Sequence, residues 1–252
     1  MISLKTKEWE IENIDTVLFD KDGTFVDLHF FWGKMTELRC KKIIDNFNLQ
    51  ESCFNNLCLC LGYNPNTKKM LSDGITALYS RSTIIKIFKD DLKKFNIETT
   101  EEKIAEIFDE VSHIFYQNMV EYTKPIETAI DFIKKAHSKG IKLGIVTSDS
   151  LESTKLTLKH FGWEYLFNSV IGRECSNETK ESGALTKIAL AELKANPKTT
   201  IMIGDAPMDA ISATNAGIKN TILVATGQIE AQELKKHSNY VLNSLNELTI
   251  QN

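Results

Sequence analysis

The chain has 252 residues, of which 42% are hydrophobic and 25% are charged, and its formal net charge is −4 at pH 7. This composition is typical of a soluble globular protein, and the length allows a core domain with a second, inserted one. It provides no global basic surface for nucleic acid, and no apolar run reaches the roughly 18 residues of a membrane span. The first fifteen residues are polar and lack the apolar core of a signal peptide, so we expect a cytoplasmic protein.

The first predicted element is a short buried strand, Thr16–Phe19, which is apolar and rich in β-forming residues. The stretch 29–122 that follows shows helical patterns and no convincing strand. Residues 30–47 and 80–95 are predicted helices, and the clearest helix is Glu101–Tyr122, with Thr99 and Glu102 as a capping box.

From residue 123 onward, predicted helices alternate with predicted strands. Pro125 suits the first position of a helix, and Gly140 suits the residue after its end. The alternation predicts an α/β fold, a Rossmann-like three-layer core with a parallel sheet between helices. Residues 1–28 and 123–252 are the predicted core, and 29–122 a helical domain inserted after the first strand. The helices are Pro125–Lys139, Ser150–Phe161, Ala184–Leu193 and Pro207–Ala216, and the strands Ile141–Val146, Ser169–Ile171, Thr200–Ile203, Thr221–Val224 and Tyr240–Leu242.

The five cysteines are too few and too irregular for a disulfide framework, since their number is odd. Cys58 and Cys60 do not have the usual spacing of a zinc site, and no histidine is near them in sequence. We therefore expect Cys53, Cys58 and Cys60 to be buried or half-buried thiols in a helix, against the alternative of a metal or redox site.

Polar and charged residues follow the strands, at the edge where open α/β sheets bind ligands. Each has a structural explanation by itself: an Asp pair is common in turns, a Thr-Ser pair caps helices, and a single lysine is usually solvated. Their joint occurrence at successive strand ends favours a functional site. The residues are Asp20, Asp22 and Thr24 after the first strand, Thr147, Ser148 and Asp149 after the next predicted core strand, and Asp205 and Asp209 after Thr200–Ile203, with Lys180 before that strand.

This set fits phosphoryl transfer. Carboxylate oxygens of Asp20 and Asp205 suit Mg²⁺, which neutralises phosphate charge and lets a carboxylate nucleophile approach phosphorus. A second carboxylate then serves as general acid and base. Thr147, Ser148 and Lys180 supply donors for phosphoryl oxygens. The predicted substrate is a small phosphorylated metabolite, and the sequence defines no oligomeric state.

The segment Phe19-Asp20-Lys21-Asp22-Gly23-Thr24 resembles the first motif of the haloacid dehalogenase superfamily. Thr147 resembles the second motif, Lys180 the third, and Gly204-Asp205 with Asp209 the fourth, all in family order. Within the superfamily, the chain is most similar to the phosphoglycolate phosphatase group. It departs from the pattern at Glu181, where many relatives have proline, and at Phe25, where a smaller aliphatic residue is usual.

The resemblance implies residue roles. Asp20 is the implied nucleophile and a Mg²⁺ ligand, and Asp22 the general acid/base and a ligand through its main-chain carbonyl. Asp205 is a further implied Mg²⁺ ligand, and Asp209 beside it is a ligand or an outer-shell carboxylate. Thr147 and Lys180 bind phosphate, with Lys187 as the alternative lysine. Residues 29–122 fall where the family places a helical cap.

Several other functions stay open. The superfamily contains sugar-phosphate mutases, and a non-catalytic scaffold of the same fold is a further alternative. A dehalogenase does not need Asp22 or the acidic fourth motif, so both argue against it. A phosphonatase needs a lysine in the cap, for which Lys34, Lys41 and Lys42 are candidates. Arg81 or His29 is a candidate for substrate recognition, against structural roles for both.

Overall fold

The computed structural model describes residues 1–251, which form two compact units. One unit contains Met1–Asp27 and the chain from Lys124 onward, and the other is Leu28–Thr123. The strands are β1 (Ile2–Lys5), β2 (Glu10–Ile14), β3 (Thr16–Phe19), β4 (Tyr63–Asn64), β5 (Lys69–Met70), β6 (Lys142–Val146), β7 (Ser169–Ile171), β8 (Thr200–Gly204), β9 (Asn220–Val224), β10 (Tyr240–Leu242) and β11 (Thr249–Gln251). The α-helices are α1 (Leu28–Phe47), α2 (Phe54–Cys60), α3 (Ile75–Leu78), α4 (Arg81–Leu92), α5 (Glu101–Gln117), α6 (Met119–Tyr122), α7 (Glu127–Ser138), α8 (Leu151–Phe161), α9 (Ala184–Leu193), α10 (Pro207–Asn215) and α11 (Ala231–Leu234).

A six-stranded parallel sheet forms the centre of the first unit, in the order β10-β9-β8-β3-β6-β7. Successive side chains of β3 point to opposite faces. Leu18 packs in the cluster formed with α9 and α10, whereas Phe19 contacts Phe132 of α7, with ring centroids 6.3 Å apart. Helices therefore cover both faces of the sheet, and the predicted fold class is confirmed.

The helix predicted from Pro125 begins two residues later, at Glu127, with Ile126 as its N-cap residue. Pro125 instead forms an isolated antiparallel bridge with Val26. This pairing holds Pro125 in an extended conformation, so the prediction that it starts the helix is wrong. The predicted end is close, because the helix stops at Ser138 and Gly140 has a left-handed φ of 73°.

A second, three-stranded antiparallel sheet was not predicted. It has the order β11-β1-β2 and joins the two ends of the described chain. Its buried side chains include Ile2, Leu4, Ile11 and Ile14, which lie among exposed charged residues. The polar composition of this segment concealed the strands, because only about every second side chain is apolar.

The second unit is mainly helical, and α1, α2, α4 and α5 surround its core. Three sequence predictions need correction here. β4 and β5 form a short antiparallel pair in a stretch predicted to contain no strand. Asn118 separates α5 from α6, and the side chain that caps α5 belongs to Thr100, not Thr99. Within residues 1–251, no helix is long and apolar enough to cross a membrane.

All five cysteines are free thiols. Cys58 is buried in α2, and Cys53 and Cys60 are half-buried at its two ends. Burial and the neighbouring Cys58 raise the pKa of the buried Cys40 thiol well above its usual range. These surroundings keep Cys40 protonated at neutral pH and agree with the expectation of packed thiols.

Candidate active site

Asp20 directly follows the central strand β3, and its backbone N–H donates to the carbonyl of Ile203 in β8, 2.9 Å away. The side chain is buried, and its Oδ1 lies 2.6 Å from Nζ of Lys180. The same ammonium lies 2.6 Å from Oδ1 of Asp209, near the beginning of α10. Lys180 therefore joins the end of β3 to α10 through two buried ion pairs.

Asp20, Asp205 and Asp209 form a compact acidic group. One carboxylate oxygen from each residue lies within 4.8 Å of the other two, and all three residues are buried. Two glycines permit this arrangement. A Cβ atom at Gly23, where φ is 87°, or at Gly227 would collide with the carboxylate of Asp205. Both backbone segments therefore approach Asp205 more closely than any larger residue allows.

The pKa values reflect this crowding. Burial, followed by the charges of Asp20 and Asp209, raises the pKa of Asp205 well above its usual range. Burial also raises the pKa of Asp209, to about 6, against the opposing effect of Lys180. For Lys180, burial favours the neutral amine, but the Asp20 and Asp209 carboxylates outweigh it and raise its pKa. The acidic group thus contains more negative charge than Lys180 alone offsets.

A second buried cluster lies beside the first and centres on Lys21, whose side chain is fully buried. Its Nζ lies 2.5 Å from Oδ1 of Asp22 and 3.0 Å from Oδ2 of Asp149. Burial raises the pKa of Asp22 to about 6, although Lys21 opposes this shift. Lys21 itself has a raised pKa, because the two carboxylates outweigh its desolvation. Lys21 thereby links the segment after β3 to the segment after β6.

The two predicted hydroxyl donors differ in their surroundings. Thr147 is buried, and its Oγ1 accepts a hydrogen bond from the backbone N–H of Asp149, 3.1 Å away. Its own O–H remains able to donate. Ser148 is exposed, and its hydroxyl lies 3.9 Å from the sulfur of Met208. Burial and a fixed orientation therefore distinguish Thr147 from Ser148.

The structure places Lys180, and not Lys187, beside Asp20, because Lys187 is exposed on α9. Glu181 stands where many relatives have proline, and its main-chain carbonyl accepts a hydrogen bond of 2.7 Å from the Asn215 side chain. Gly183 then turns the chain with a φ of 80°. These two features fix the Lys180 backbone without the rigid ring of proline.

Two residues of this region were not recognised as important from the sequence. The sequence pattern marks Lys21 only as a member of the first motif, and Asp149 only as one of three polar residues after a predicted strand. A lysine next to the end of a buried strand needs a carboxylate partner, which was the available signal. The partner was not identifiable without knowing that β6 lies next to β3.

The two residues considered for substrate recognition have partners within the second unit. Arg81 forms an ion pair with Asp109, with 2.6 Å between the charged atoms. His29 accepts a hydrogen bond at Nδ1 from the backbone N–H of Met70, 3.1 Å away. Both contacts are structural, and they favour the structural alternative for each residue.

The donor set of the acidic group fits a hard divalent cation. All three groups are carboxylates, and Mg²⁺ takes oxygen ligands. The raised pKa of Asp205 is a second indication, since a bound cation would relieve the repulsion among the three charges. Sulfur or imidazole ligands, which softer metals prefer, are not members of this group.

A parallel α/β sheet with buried carboxylates and lysines beyond its central strands defines an enzyme of the phosphatase type. The family model for haloacid dehalogenase-like hydrolases matches residues 41–224, which is more than half of the chain. The chain therefore belongs to the haloacid dehalogenase-like hydrolase family, and the predicted resemblance and hydrolase class are confirmed.

Individual relatives agree with this assignment. The chain is 27% identical over 235 residues to the pyrophosphatase PpaX of Halalkalibacterium halodurans, which covers 93% of this chain and 95% of that protein. It is 26% identical over 206 residues to the phosphoglycolate phosphatase of Aquifex aeolicus, with 82% and 83% covered. The crystal structure of a predicted phosphoglycolate phosphatase from Haemophilus somnus superposes with a TM-score of 0.72 at 17% identity, covering 94% of this chain and 97% of that one. This last similarity concerns the fold.

Proposed function

We propose that the protein is a Mg²⁺-dependent phosphatase that hydrolyses a small phosphorylated metabolite through an aspartyl-phosphate on Asp20. The observation that carries this proposal is the buried group of Asp20, Asp205 and Asp209 with Lys180 in contact with two of its members. A fixed ammonium beside a carboxylate at the end of a central strand suits attack on an anionic phosphoryl group.

Asp20, Asp205 and Asp209, with the main-chain carbonyl of Asp22, are the residues proposed to hold the metal. A bound Mg²⁺ supplies positive charge that lowers the repulsion between a carboxylate nucleophile and the substrate phosphate. Lys180 contributes a second positive charge from a fixed position. The Thr147 hydroxyl, oriented by its bond to Asp149, is proposed to donate to a phosphoryl oxygen.

In the first proposed step, a carboxylate oxygen of Asp20 forms a bond to phosphorus while the bond to the ester oxygen breaks. Asp22 donates its proton to the departing oxygen. Its raised pKa, about 6, favours a protonated fraction near neutral pH. In the second step, Asp22 takes a proton from water, the water oxygen attacks phosphorus, and the bond between phosphorus and Asp20 breaks to release phosphate.

The proposed substrates are small molecules such as phosphoglycolate or pyrophosphate. The names of the relatives suggest these two compounds, which form the first panel of assays. Release of inorganic phosphate separates a phosphatase from the sugar-phosphate mutase alternative, which isomerises its substrate instead. The assignment of residues 29–122 as a cap stays a prediction.

Turnover of a chromogenic aryl phosphate tests the nucleophile. We expect Mg²⁺-dependent hydrolysis by the wild type, and a loss of roughly 10³-fold or more in kcat for Asp20→Asn, because an amide cannot form the acyl-phosphate. Asp131→Asn is the matched control, since Asp131 is exposed on α7 of the same unit. Similar kcat values for Asp20→Asn and Asp131→Asn, with both proteins folded, would contradict the nucleophile assignment.

A further inference from the structure

Arg39 of α1 is a buried cation that has no charged partner among residues 1–251. It is 6% exposed, and its guanidinium carbon lies 4.3 Å from the ring centroid of Phe108 in α5. Within residues 1–251, no carboxylate forms an ion pair with it, and its Nε has no hydrogen-bond partner. The other two arginines are paired: Arg81 contacts Asp109, and Arg173 contacts Glu174.

Thr36 lies three residues before Arg39, so the two side chains share one face of α1. It is fully buried, and its Oγ1 also has no partner in the described part of the chain. Buried helical hydroxyls usually bond to the carbonyl four residues earlier, as Thr154 does with Ser150 at 2.9 Å. Thr36 makes no such bond, so its O–H has a donor that no acceptor within residues 1–251 satisfies.

An arrangement of this kind is costly unless something binds it, because buried polar groups are nearly always satisfied. Burial, and next the charge of Arg81, lower the pKa of Arg39 to about 10, while Cys40, Tyr116 and Asp109 oppose that change. Arg39 still carries its charge at neutral pH. Among residues 1–251, the ionised groups that face Arg39 are the Arg81 guanidinium and the Asp109 carboxylate. These two form an ion pair with each other. The local charge is therefore positive.

We propose that Thr36 and Arg39 form an oxyanion-binding site within the Leu28–Thr123 unit, which takes the carboxylate or phosphate group of a small molecule. A guanidinium presents a planar set of donors that matches the oxygens of either group. The Thr36 hydroxyl adds one donor from the same helix face. The Phe108 ring, 4.3 Å from the guanidinium carbon, adds a cation–π contact. This site is separate from the chemistry proposed for Asp20 and does not require turnover.

The 252-residue chain permits a direct test, because it contains three arginines and therefore gives three Nε–H signals in a ¹⁵N–¹H NMR spectrum. The Arg39 signal is assigned as the one that Arg39→Lys removes. Glycolate and inorganic phosphate are titrated separately at constant ionic strength. EDTA is present, so that the carboxylates of the acidic group carry no cation and repel both probes.

We expect at least one probe to shift the Arg39 signal saturably while the Arg81 and Arg173 signals stay in place. The probe that binds more tightly identifies the group the site prefers. Thr36→Val should weaken binding about fivefold, because it removes one hydrogen bond and keeps the shape of the side chain. An Arg39 signal that does not move with either probe, or equal shifts of all three signals, overturns the proposal.

Thermal unfolding gives a second measurement for the case in which the Arg39 signal is too broad. Saturating probe should raise the Tm of the wild type and of Arg173→Met, and should leave that of Arg39→Met unchanged. Circular dichroism verifies that the variant is folded. An equal rise in Tm for Arg39→Met and the wild type also overturns the proposal. Neither result depends on phosphatase activity, so the two proposals succeed or fail separately.

Discussion

Replacing Lys21 with methionine tests the buried cluster that follows the central strand. Methionine keeps most of the length and apolar volume of lysine but removes the charge. The ammonium of Lys21 is fully buried and contacts both Asp22 and Asp149. Its loss leaves these two carboxylates, whose side chains are no more than 11% exposed, without the ammonium that contacts both.

The expected effect is large. Removing one partner of a buried ion pair costs about 3–5 kcal/mol of unfolding free energy. With a urea dependence of about 1–3 kcal/mol per molar, the unfolding midpoint should fall by roughly 1–2 M or more. Asp149→Asn in the Lys21→Met background should recover part of this loss, because it removes one of the two carboxylate charges that the Lys21 ammonium offsets.

Urea unfolding followed by far-UV circular dichroism measures these midpoints. Lys93→Met is the matched control, since Lys93 forms an exposed ion pair with Asp90 at 2.8 Å and should leave the midpoint unchanged. If Lys21→Met shifted the midpoint no more than Lys93→Met, the claim that Lys21 stabilises the core through its two carboxylates would be refuted. Additive effects of the Lys21 and Asp149 changes would also contradict it.

Three further predictions concern capping, metal affinity and metal removal. Thr100→Ala should cost about 1 kcal/mol in urea unfolding, because Thr100 caps α5, while Thr99→Ala should cost nothing; equal costs would contradict the cap assignment. Gly227→Ala should raise the Mg²⁺ concentration for half-maximal activity at least tenfold, since a Cβ there displaces Asp205, whereas Gly162→Ala, with open space around it, should not. Saturating Mg²⁺ should raise the Tm above its value in EDTA, with about 2.7 kcal/mol of added stability at 100 times Kd; an unchanged Tm would contradict the metal site.

The elements predicted best were those with strong local patterns. Strand Thr16–Phe19, a short apolar run, and helix Ala184–Leu193 have the predicted bounds. The failures were at places where distant contacts override local preference. Pro125 is extended because it pairs with Val26. The sheet made by the two ends of the described chain depends on pairing between residues more than 240 positions apart, such as Lys5 and Thr249, which no local pattern reveals.

The candidate site had the same limitation. Asp20 and Asp22 were conspicuous because two carboxylates follow a buried strand, but Thr147 and Lys180 were weak signals when taken singly. The strand order makes both signals stronger, because β3 lies between β6 and β8 and the segments after these strands meet at one edge of the sheet. This order also brings Asp149 to Lys21. The sequence contained the residues of the site, and the topology determined their partners.

The balance of charge in the two clusters gives a physical reason for the proposed metal. Fully ionised, the clusters contain five carboxylates and two ammonium groups, so the formal excess is three negative charges. An anionic phosphate ester that approaches this surface would be repelled. The single positive charge of Lys180 is too small to overcome this repulsion. A divalent cation held by Asp20, Asp205 and Asp209 would remove most of the excess and would also place positive charge beside Asp20, the proposed nucleophile. The same carboxylates that make the metal-free site unfavourable for a phosphate are therefore the ones that would make the metal-bound site favourable for it.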